Sequence, residues 1–204
     1  MPHRPTRWEL AGDATRDFGE RLARLVAEGA DVDGEARLAD VLVPRGARIL
    51  DVGSGMGRVS AALQARGHRV TAVEPDPALV EQSRRTYPGL AVTHADILEA
   101  DLEPGYDLVV LVGNVMAFLA EGTEREVLGT VRGLLGPGGR VLVGLHLRGG
   151  PETARHYPPE ELVADAAACG LAVDLHAGFY ELHPPGPDYA VWVLSVADPG
   201  ADGG

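Results

Sequence analysis

The stretch that decides the fold is Ile49-Leu50-Asp51-Val52-Gly53-Ser54-Gly55-Met56-Gly57-Arg58. Its apolar first half, together with Arg48, predicts a short β-strand, and the glycines after it predict a tight turn. The apolar spacing from 59 to 66 then predicts a helix that stops at Gly67. Glycines after a strand let the backbone approach a ligand closely, because no Cβ stands in the way. The unit therefore predicts a ligand-binding turn at the edge of a sheet.

The rest of the chain alternates between short β-branched runs and helical patterns, which is typical of a parallel sheet covered by helices. Further strands are predicted at 69–74, 90–94, 106–112, 140–147, 171–180 and 189–197, and further helices at 77–86, 124–135 and 159–169. The turn-rich residues 184–188 connect the last two strands too briefly for a crossover, so these strands should pair antiparallel. The predicted fold is a Rossmann-like, doubly wound α/β sheet of seven mostly parallel strands with an antiparallel last strand, in three layers.

Three segments are expected along the chain. Residues 47–197 form the core domain, and residues 1–46 form an N-terminal helical extension with helices at 18–28 and 34–43. We expect this extension to pack on the core as a lid. The glycine-rich tail 198–204 is predicted to be disordered.

Composition limits the possible partners. The 204 residues carry a net charge of −12, which disfavours nucleic-acid binding because such proteins usually present a basic face to the phosphates. No apolar run approaches the roughly 20 residues that cross a bilayer, so no membrane partner is expected. The single cysteine, Cys169, excludes an intrachain disulfide, and a cytoplasmic location is the default expectation. No spacing of histidines and carboxylates predicts a metal site.

The spacing of the glycine turn distinguishes between nucleotide-binding motifs. Its glycines alternate as G-x-G-x-G, and Arg58 stands where the dinucleotide motif G-x-G-x-x-G has its third glycine. The phosphate-binding lysine of a P-loop is also missing. A carboxylate at the end of the second strand, Glu74, can accept hydrogen bonds from both hydroxyls of a ribose. An NAD-dependent oxidoreductase would use the same carboxylate, so this class of enzyme remains an alternative at this point.

The run from Ile49 to Arg58 resembles the first motif of the class I S-adenosylmethionine-dependent methyltransferases. This resemblance implies that the cofactor is S-adenosyl-L-methionine and that the alternating glycines wrap its methionine part. The acidic residue at the Asp51 position orients the loop or meets the cofactor's ammonium group in this family. The resemblance therefore implies cofactor contacts from the loop residues Asp51, Gly53, Ser54, Gly55, Gly57 and Arg58.

Further cofactor contacts are expected at the ends of the next strands. Glu74 and Pro75 close the second strand on the ribose side. In similar methyltransferases an acidic residue at the Asp96 position accepts from the adenine amino group, and the backbone N–H of the next residue, here Ile97, meets the ring. After the fourth strand, Gly113 and Asn114 are expected at the edge where ligands bind in open α/β sheets; the latter is a cofactor-binding and catalytic candidate.

Two further segments extend the resemblance to a group of small bacterial methyltransferases. Residues 135–143 resemble the family's segment after the cofactor motifs, L-x-P-G-G followed by a strand, and residues 136–139 predict a turn there. The sequences Gly34-Glu35-Ala36-Arg37-Leu38 and Gly113-Asn114-Val115-Met116-Ala117-Phe118-Leu119 are shared features of that group. Four motifs in family order favour a methyltransferase over an isolated glycine turn.

The acceptor side is less determined by the sequence. His146, at the end of the fifth strand, is the candidate general base, because its unperturbed pKa lies near 6.5. Other residues that suit a lid or pocket are His3, Trp8, His156, Tyr157 and Tyr180. The Pro-Pro-Tyr sequence of amino-directed DNA methyltransferases does not follow Asn114, and with the acidic charge this favours a small-molecule acceptor. The alternatives are a non-catalytic S-adenosylmethionine-binding sensor or scaffold protein, and the NAD-dependent oxidoreductase.

Overall fold

The structure, a computed structural model, describes residues 4–150 and 152–198. Its seven strands form one sheet in the order β3-β2-β1-β4-β5-β7-β6. The strands are β1 (Arg48–Val52), β2 (Arg69–Glu74), β3 (Val92–His94), β4 (Tyr106–Leu111), β5 (Leu135–His146), β6 (Leu171–Ala177) and β7 (Tyr189–Val196). Strands β1 to β5 pair in parallel, whereas β7 is antiparallel to both β5 and β6. The predicted fold class and the antiparallel last strand are confirmed.

Eight α-helices and one 3-10 turn at Gly12–Ala14 accompany the sheet in the described part of the chain. The helices are α1 (Arg7–Leu10), α2 (Phe18–Ala27), α3 (Gly34–Val41), α4 (Arg58–Ala65), α5 (Pro77–Thr86), α6 (Val115–Phe118), α7 (Glu124–Leu134) and α8 (Pro159–Ala168). Helices α1 and α6 were not predicted, because four residues are too few to show a helical apolar period. No described helix is long and apolar enough to cross a membrane.

Alternate residues of the central strands point to two separate cores, which is the three-layer arrangement. Leu50 of β1 and Val109 of β4 pack with residues of α7 and α8 on one face. Ile49 and Leu108, their neighbours in sequence, pack with residues of α3 and α4 on the other face. The two-residue period of a strand places these neighbours on opposite sides, so each face of the sheet is buried under helices.

The turn predicted at 136–139 was wrong in its placement. The strand already begins at Leu135, which pairs with Tyr106, and the register resumes where Arg140 pairs with Leu108. Residues 136–139 thus bulge inside β5 against a single residue of β4. Glycine is required there because a Cβ on Gly139 would lie 2.5 Å from the carbonyl oxygen of Tyr106. The other predicted element bounds agree with the structure to within three residues.

The described part of the N-terminal extension packs against the core. Helix α1 begins with a capping box, in which Thr6 and Glu9 satisfy each other's backbone N–H groups. Helix α2 lies so close to α5 that a Cβ on Gly19 would be 3.0 Å from Leu79 Cδ2. At the other end of the chain, residues 199–204 of the predicted disordered tail lie outside the described residues.

Candidate functional site

The glycine turn between β1 and α4 adopts a backbone that favours glycine at three positions. Gly53, Gly55 and Gly57 have φ values of 62°, 58° and 83°. A Cβ on Gly53 would lie 2.8 Å from Val115 Cγ2, and one on Gly57 would lie 2.5 Å from Leu90 Cδ2. Gly55 instead has no neighbouring atom within 4 Å of its Cβ position. The outer two glycines therefore serve packing, and the middle one faces open space.

Two adjoining cavities lie beside this turn, at the carboxyl ends of the parallel strands. The first, called the narrow cleft, has a volume of about 100 Å³ and includes seven of the predicted cofactor residues in its lining. These residues are Gly53, Gly55, Glu74, Pro75, Asp96, Ile97 and Gly113. The second, called the wide cleft, has a volume of about 590 Å³ and is lined in part by Arg58, Asn114 and His146. The two cavities share Gly113, so they meet where β4 ends.

Three predicted contact residues support the turn from behind and do not line either cavity. Asp51 is buried and its Oδ2 accepts a hydrogen bond from Ser60 Oγ at 2.6 Å, while burial raises its pKa to about 6. Ser54 is buried and donates its backbone N–H to the carbonyl of Val73. Gly57 is the N-cap residue of α4. For these residues, direct contact with a cofactor stays a prediction.

Glu74 is a buried carboxylate at the end of β2. Only 4% of the residue is exposed, and its two oxygens accept from the backbone N–H groups of Gly55 at 2.7 Å and Asp76 at 2.9 Å. Burial raises its pKa to about 7 although these hydrogen bonds favour the charged form. Each carboxylate oxygen has a second lone pair, so the group retains acceptor capacity toward the narrow cleft.

Asp96 follows β3 at the other end of the narrow cleft. Its Oδ1 accepts from the backbone N–H of Leu98 at 2.8 Å, which makes a local turn. The adjacent Ile97 is buried and belongs to the hydrophobic core. One side-chain oxygen of Asp96 is thereby fixed, and adenine recognition by Asp96 and Ile97 stays a prediction.

The N-terminal extension contributes residues to the lining of both clefts, and Trp8 is one of them. The indole Nε1 donates to Asp76 Oδ2 at 2.6 Å, and the ring packs edge-to-face on Phe18 and Phe118 at 5.2 and 5.1 Å. The other oxygen of Asp76 caps α5 by accepting from Ala78 N. Sequence reasoning named Trp8 as a lid residue but missed both phenylalanines, because their proximity depends on tertiary packing.

Arg58 forms a partly buried ion pair within the wide cleft. Its guanidinium donates to both carboxylate oxygens of Glu35 and, at 2.5 Å, to the carbonyl of Val32. This pair joins the start of α4 to α3, so the G-E-A-R-L segment around Glu35 has a structural partner in the cofactor motif. Arg58 lines the wide cleft with a protein carboxylate already bound, and its contact with a cofactor stays a prediction.

His146 and Asn114 form a connected pair where β4 and β5 end. Asn114, in a left-handed conformation with φ 77°, accepts at Oδ1 from the backbone N–H of His146 at 2.8 Å. The same oxygen lies 3.1 Å from His146 Nδ1. Because an amide oxygen only accepts, Nδ1 carries the proton and Nε2 keeps its lone pair. Burial lowers the pKa of His146, which favours this neutral form.

The other candidates are distributed over several places. Tyr180 lines the wide cleft and shares a 2.7 Å hydrogen bond with the hydroxyl of Tyr189. Tyr157 is buried in the core, where its hydroxyl donates to Asp165 at 2.7 Å. His156 lines a small side pocket beside His146, and His3 lies outside the described residues. Within the described ranges, no three His, Cys, Asp or Glu side chains are grouped as metal ligands would be.

Comparison with known proteins identifies the family. A family model described as a methyltransferase domain matches residues 49–139. The crystal structure of a TehB-like S-adenosylmethionine-dependent methyltransferase from Corynebacterium glutamicum is 31% identical in sequence, with a TM-score of 0.79 over 89% of this chain and 97% of that chain. The chain belongs to the class I S-adenosylmethionine-dependent methyltransferases. The predicted family is confirmed, and S-adenosylmethionine is the cofactor of this family.

Two curated relatives are similar to part of the chain. An uncharacterized methyltransferase of Mycobacterium tuberculosis is 36% identical over 110 residues, which is 52% of this chain and 54% of the relative. A ribosomal RNA small subunit methyltransferase A of Geobacter metallireducens is 44% identical over 93 residues, or 43% of this chain and 34% of the relative. The chain thus spans about half the length, or less, of these relatives.

Proposed function

We propose that this protein transfers the methyl group of S-adenosylmethionine to a small-molecule acceptor that binds in the wide cleft. The observation that carries this proposal is the wide cleft itself, which adjoins the glycine turn and meets the narrow cleft at Gly113. A cofactor bound along the turn would place its adenosine part beside Glu74 and Asp96 and its methionine part toward Gly55. Its reactive end would then face the cavity that contains His146.

The residues of the turn suit this cofactor. The open space beside Gly55 leaves room for a ligand against the backbone, and the buried Glu74 carboxylate suits a ribose diol. When bound, S-adenosylmethionine supplies an electrophilic methyl group, so the protein's tasks are positioning and the exclusion of water. In this proposal His146 Nε2, with its lone pair, takes a proton from the acceptor.

The lining of the wide cleft, which includes residues of separate segments, favours a small acceptor over a polymer. Trp8 and Phe18 from the N-terminal extension contribute to its lining, and so do Phe179 and Tyr180 from the segment after β6. The net charge of −12 adds an unfavourable interaction with nucleic-acid phosphates. We include the lid role of residues 1–46 in this proposal, since the hydrogen bond from Trp8 to Asp76 ties the extension to the end of β2.

The proposal is tested by incubating the protein with methyl-labelled S-adenosylmethionine and a cell extract that is then separated into small molecules, protein and nucleic acid. We expect the label in the small-molecule fraction. Gly55→Leu should abolish labelling, whereas Gly67→Leu is the matched control, because Gly67 also has a positive φ of 90° and open space but lies at the far end of α4.

Label in the RNA or protein fraction would overturn the small-molecule part of the proposal. Cofactor binding without label in any fraction would instead favour the sensor or scaffold alternative. Deletion of residues 1–30 should weaken cofactor binding; an unchanged affinity would contradict the lid role.

A further inference from the structure

The wide cleft concentrates the aromatic side chains of this protein. All three phenylalanines of the chain, Phe18, Phe118 and Phe179, line it, and Trp8, Tyr180 and Tyr189 join them. Aromatic residues make up only 5% of the chain, so their presence in one cavity is a property of the cavity and does not reflect the composition. Aromatic rings prefer edge-to-face or offset contacts with other rings, each worth about 0.5–1.5 kcal/mol beyond burial.

These rings form two clusters from different parts of the chain. Trp8 packs on Phe18 and Phe118 in the cluster from α1, α2 and α6. In the second cluster, Phe179 contacts Tyr189 at 5.1 Å and an interplanar angle of 67°. Phe179 remains 41% exposed in spite of these contacts. A ring that large, left partly exposed in a cavity wall, offers its free surface to a flat ligand.

The charges of the wide cleft balance. Arg58 is paired with Glu35, as described above, and the remaining charged lining residues are one arginine, Arg21, and one glutamate, Glu152. A charged ligand enters a partly desolvated cavity favourably only when an unmatched opposite charge receives it. The formal charges of these four side chains cancel, so the cleft favours a neutral ligand.

The geometry points to a neutral, flat aromatic or heteroaromatic acceptor that carries an O–H or N–H nucleophile. This inference rests on the proposed function and names the substrate class of the same site. His146 Nε2 has a free lone pair to accept the nucleophile's proton, because Asn114 Oδ1 holds the ring N–H proton on Nδ1. For an O–H acceptor, the proton passes to Nε2, the oxygen–methyl bond forms, and the carbon–sulfur bond of the sulfonium breaks with its electron pair on sulfur. The products are the methyl ether, the neutral thioether and the proton on His146.

The experiment uses two alcohols of similar size, one aromatic and flat and the other saturated. The full-length protein is first titrated with S-adenosylhomocysteine, and the saturated protein is then titrated with 2-naphthol or with its saturated counterpart trans-2-decalol. We expect 2-naphthol to bind at least about tenfold more tightly, which corresponds to about 1.4 kcal/mol, or about one to three ring contacts. Phe179→Leu, which keeps the apolar bulk, should remove most of this preference, while Val173→Ala on the outside of β6 should leave it unchanged.

Each outcome has a distinct meaning. Equal affinities for the two probes, binding of neither probe to the saturated protein, or an unchanged preference in Phe179→Leu would overturn the aromatic acceptor class. These results would leave the methyl-transfer proposal intact, because the first titration has already measured cofactor-site binding. Failure of that first titration would contradict the proposed function, and this inference falls with it.

Discussion

Cofactor binding should weaken as the pH falls from 8 to 6, and the cause is the buried Glu74 carboxyl. Burial raises its pKa to about 7, so at pH 6 most of the unliganded protein carries a neutral Glu74. A ribose diol donates its hydrogen bonds best to the ionised carboxylate, so binding must then be accompanied by loss of the proton. Since Glu74 must be ionised in the complex, the affinity for the cofactor falls about tenfold, or about 1.4 kcal/mol, from pH 8 to pH 6.

The assay is calorimetry of S-adenosylmethionine binding at pH 8, 7 and 6 with the wild type and with Glu74→Gln. The cofactor's own amino group and the nearby Asp51 titrate in both proteins, so their effects cancel in the comparison. The Gln variant should bind more weakly at pH 8 and lose the tenfold change. An equal pH dependence in both proteins would refute the assignment of this proton to Glu74.

The same pKa makes an independent prediction for stability. The pKa of about 7 for Glu74 in the folded protein lies above its ordinary value of 4.5, so the folded state holds the proton more strongly than the unfolded state between these values. Stability therefore decreases as the pH rises through that window. Urea unfolding of the unliganded proteins at pH 5 and pH 8 should show Glu74→Gln gaining about 2–3 kcal/mol relative to the wild type at the higher pH. No relative gain would show that Glu74 ionises normally.

Three further substitutions test individual contacts. Gly57→Ala should lower the free energy of unfolding by about 3 kcal/mol in urea titrations, because the new Cβ adds both backbone strain and overpacking. The control Gly67→Ala has a positive φ but open space, so it should cost only about 1–2 kcal/mol. Equal costs for the two variants would contradict the packing argument. Glu35→Gln leaves the largely desolvated Arg58 without its counter-charge and should lower the free energy of unfolding by about 3–5 kcal/mol in the same assay. A loss below about 1 kcal/mol, which is the contribution of an exposed pair, would disprove the importance of the Arg58–Glu35 pair. Trp8→Phe removes one charge-assisted hydrogen bond and should weaken cofactor binding by about tenfold in calorimetry; unchanged binding would argue against closure by the extension.

The sequence predicted those parts of the molecule that depend on local pattern. Strand β1 and the glycine turn were recognisable because backbone geometry at Gly53 and Gly57 restricts the residue type. The bulge in β5 was misplaced because the pairing partner of Leu135 belongs to a distant strand. The turn signal was correct in kind, but its position inside a strand depends on tertiary pairing.

The functional site shows the same division between local and distant determinants. Glu74 was predicted from its position at the end of a strand and Asp96 from the family resemblance, and both line the narrow cleft. The pairing of Arg58 with Glu35 and the contacts of Trp8 with Phe118 were not predicted, since they join segments far apart in the chain. Short helices such as α6 have no periodic signal of their own, so the rings they carry cannot be placed by periodicity.

The central claim is that the glycine turn binds S-adenosylmethionine, and the most direct test is calorimetry of the purified protein with this cofactor and, separately, with NAD. We predict saturable binding of S-adenosylmethionine with a dissociation constant on the order of 1–100 μM, or about −8 to −5.5 kcal/mol, and no heat of binding with NAD. Gly55→Leu should remove the binding of S-adenosylmethionine. Saturable binding of NAD with none of S-adenosylmethionine would contradict the account.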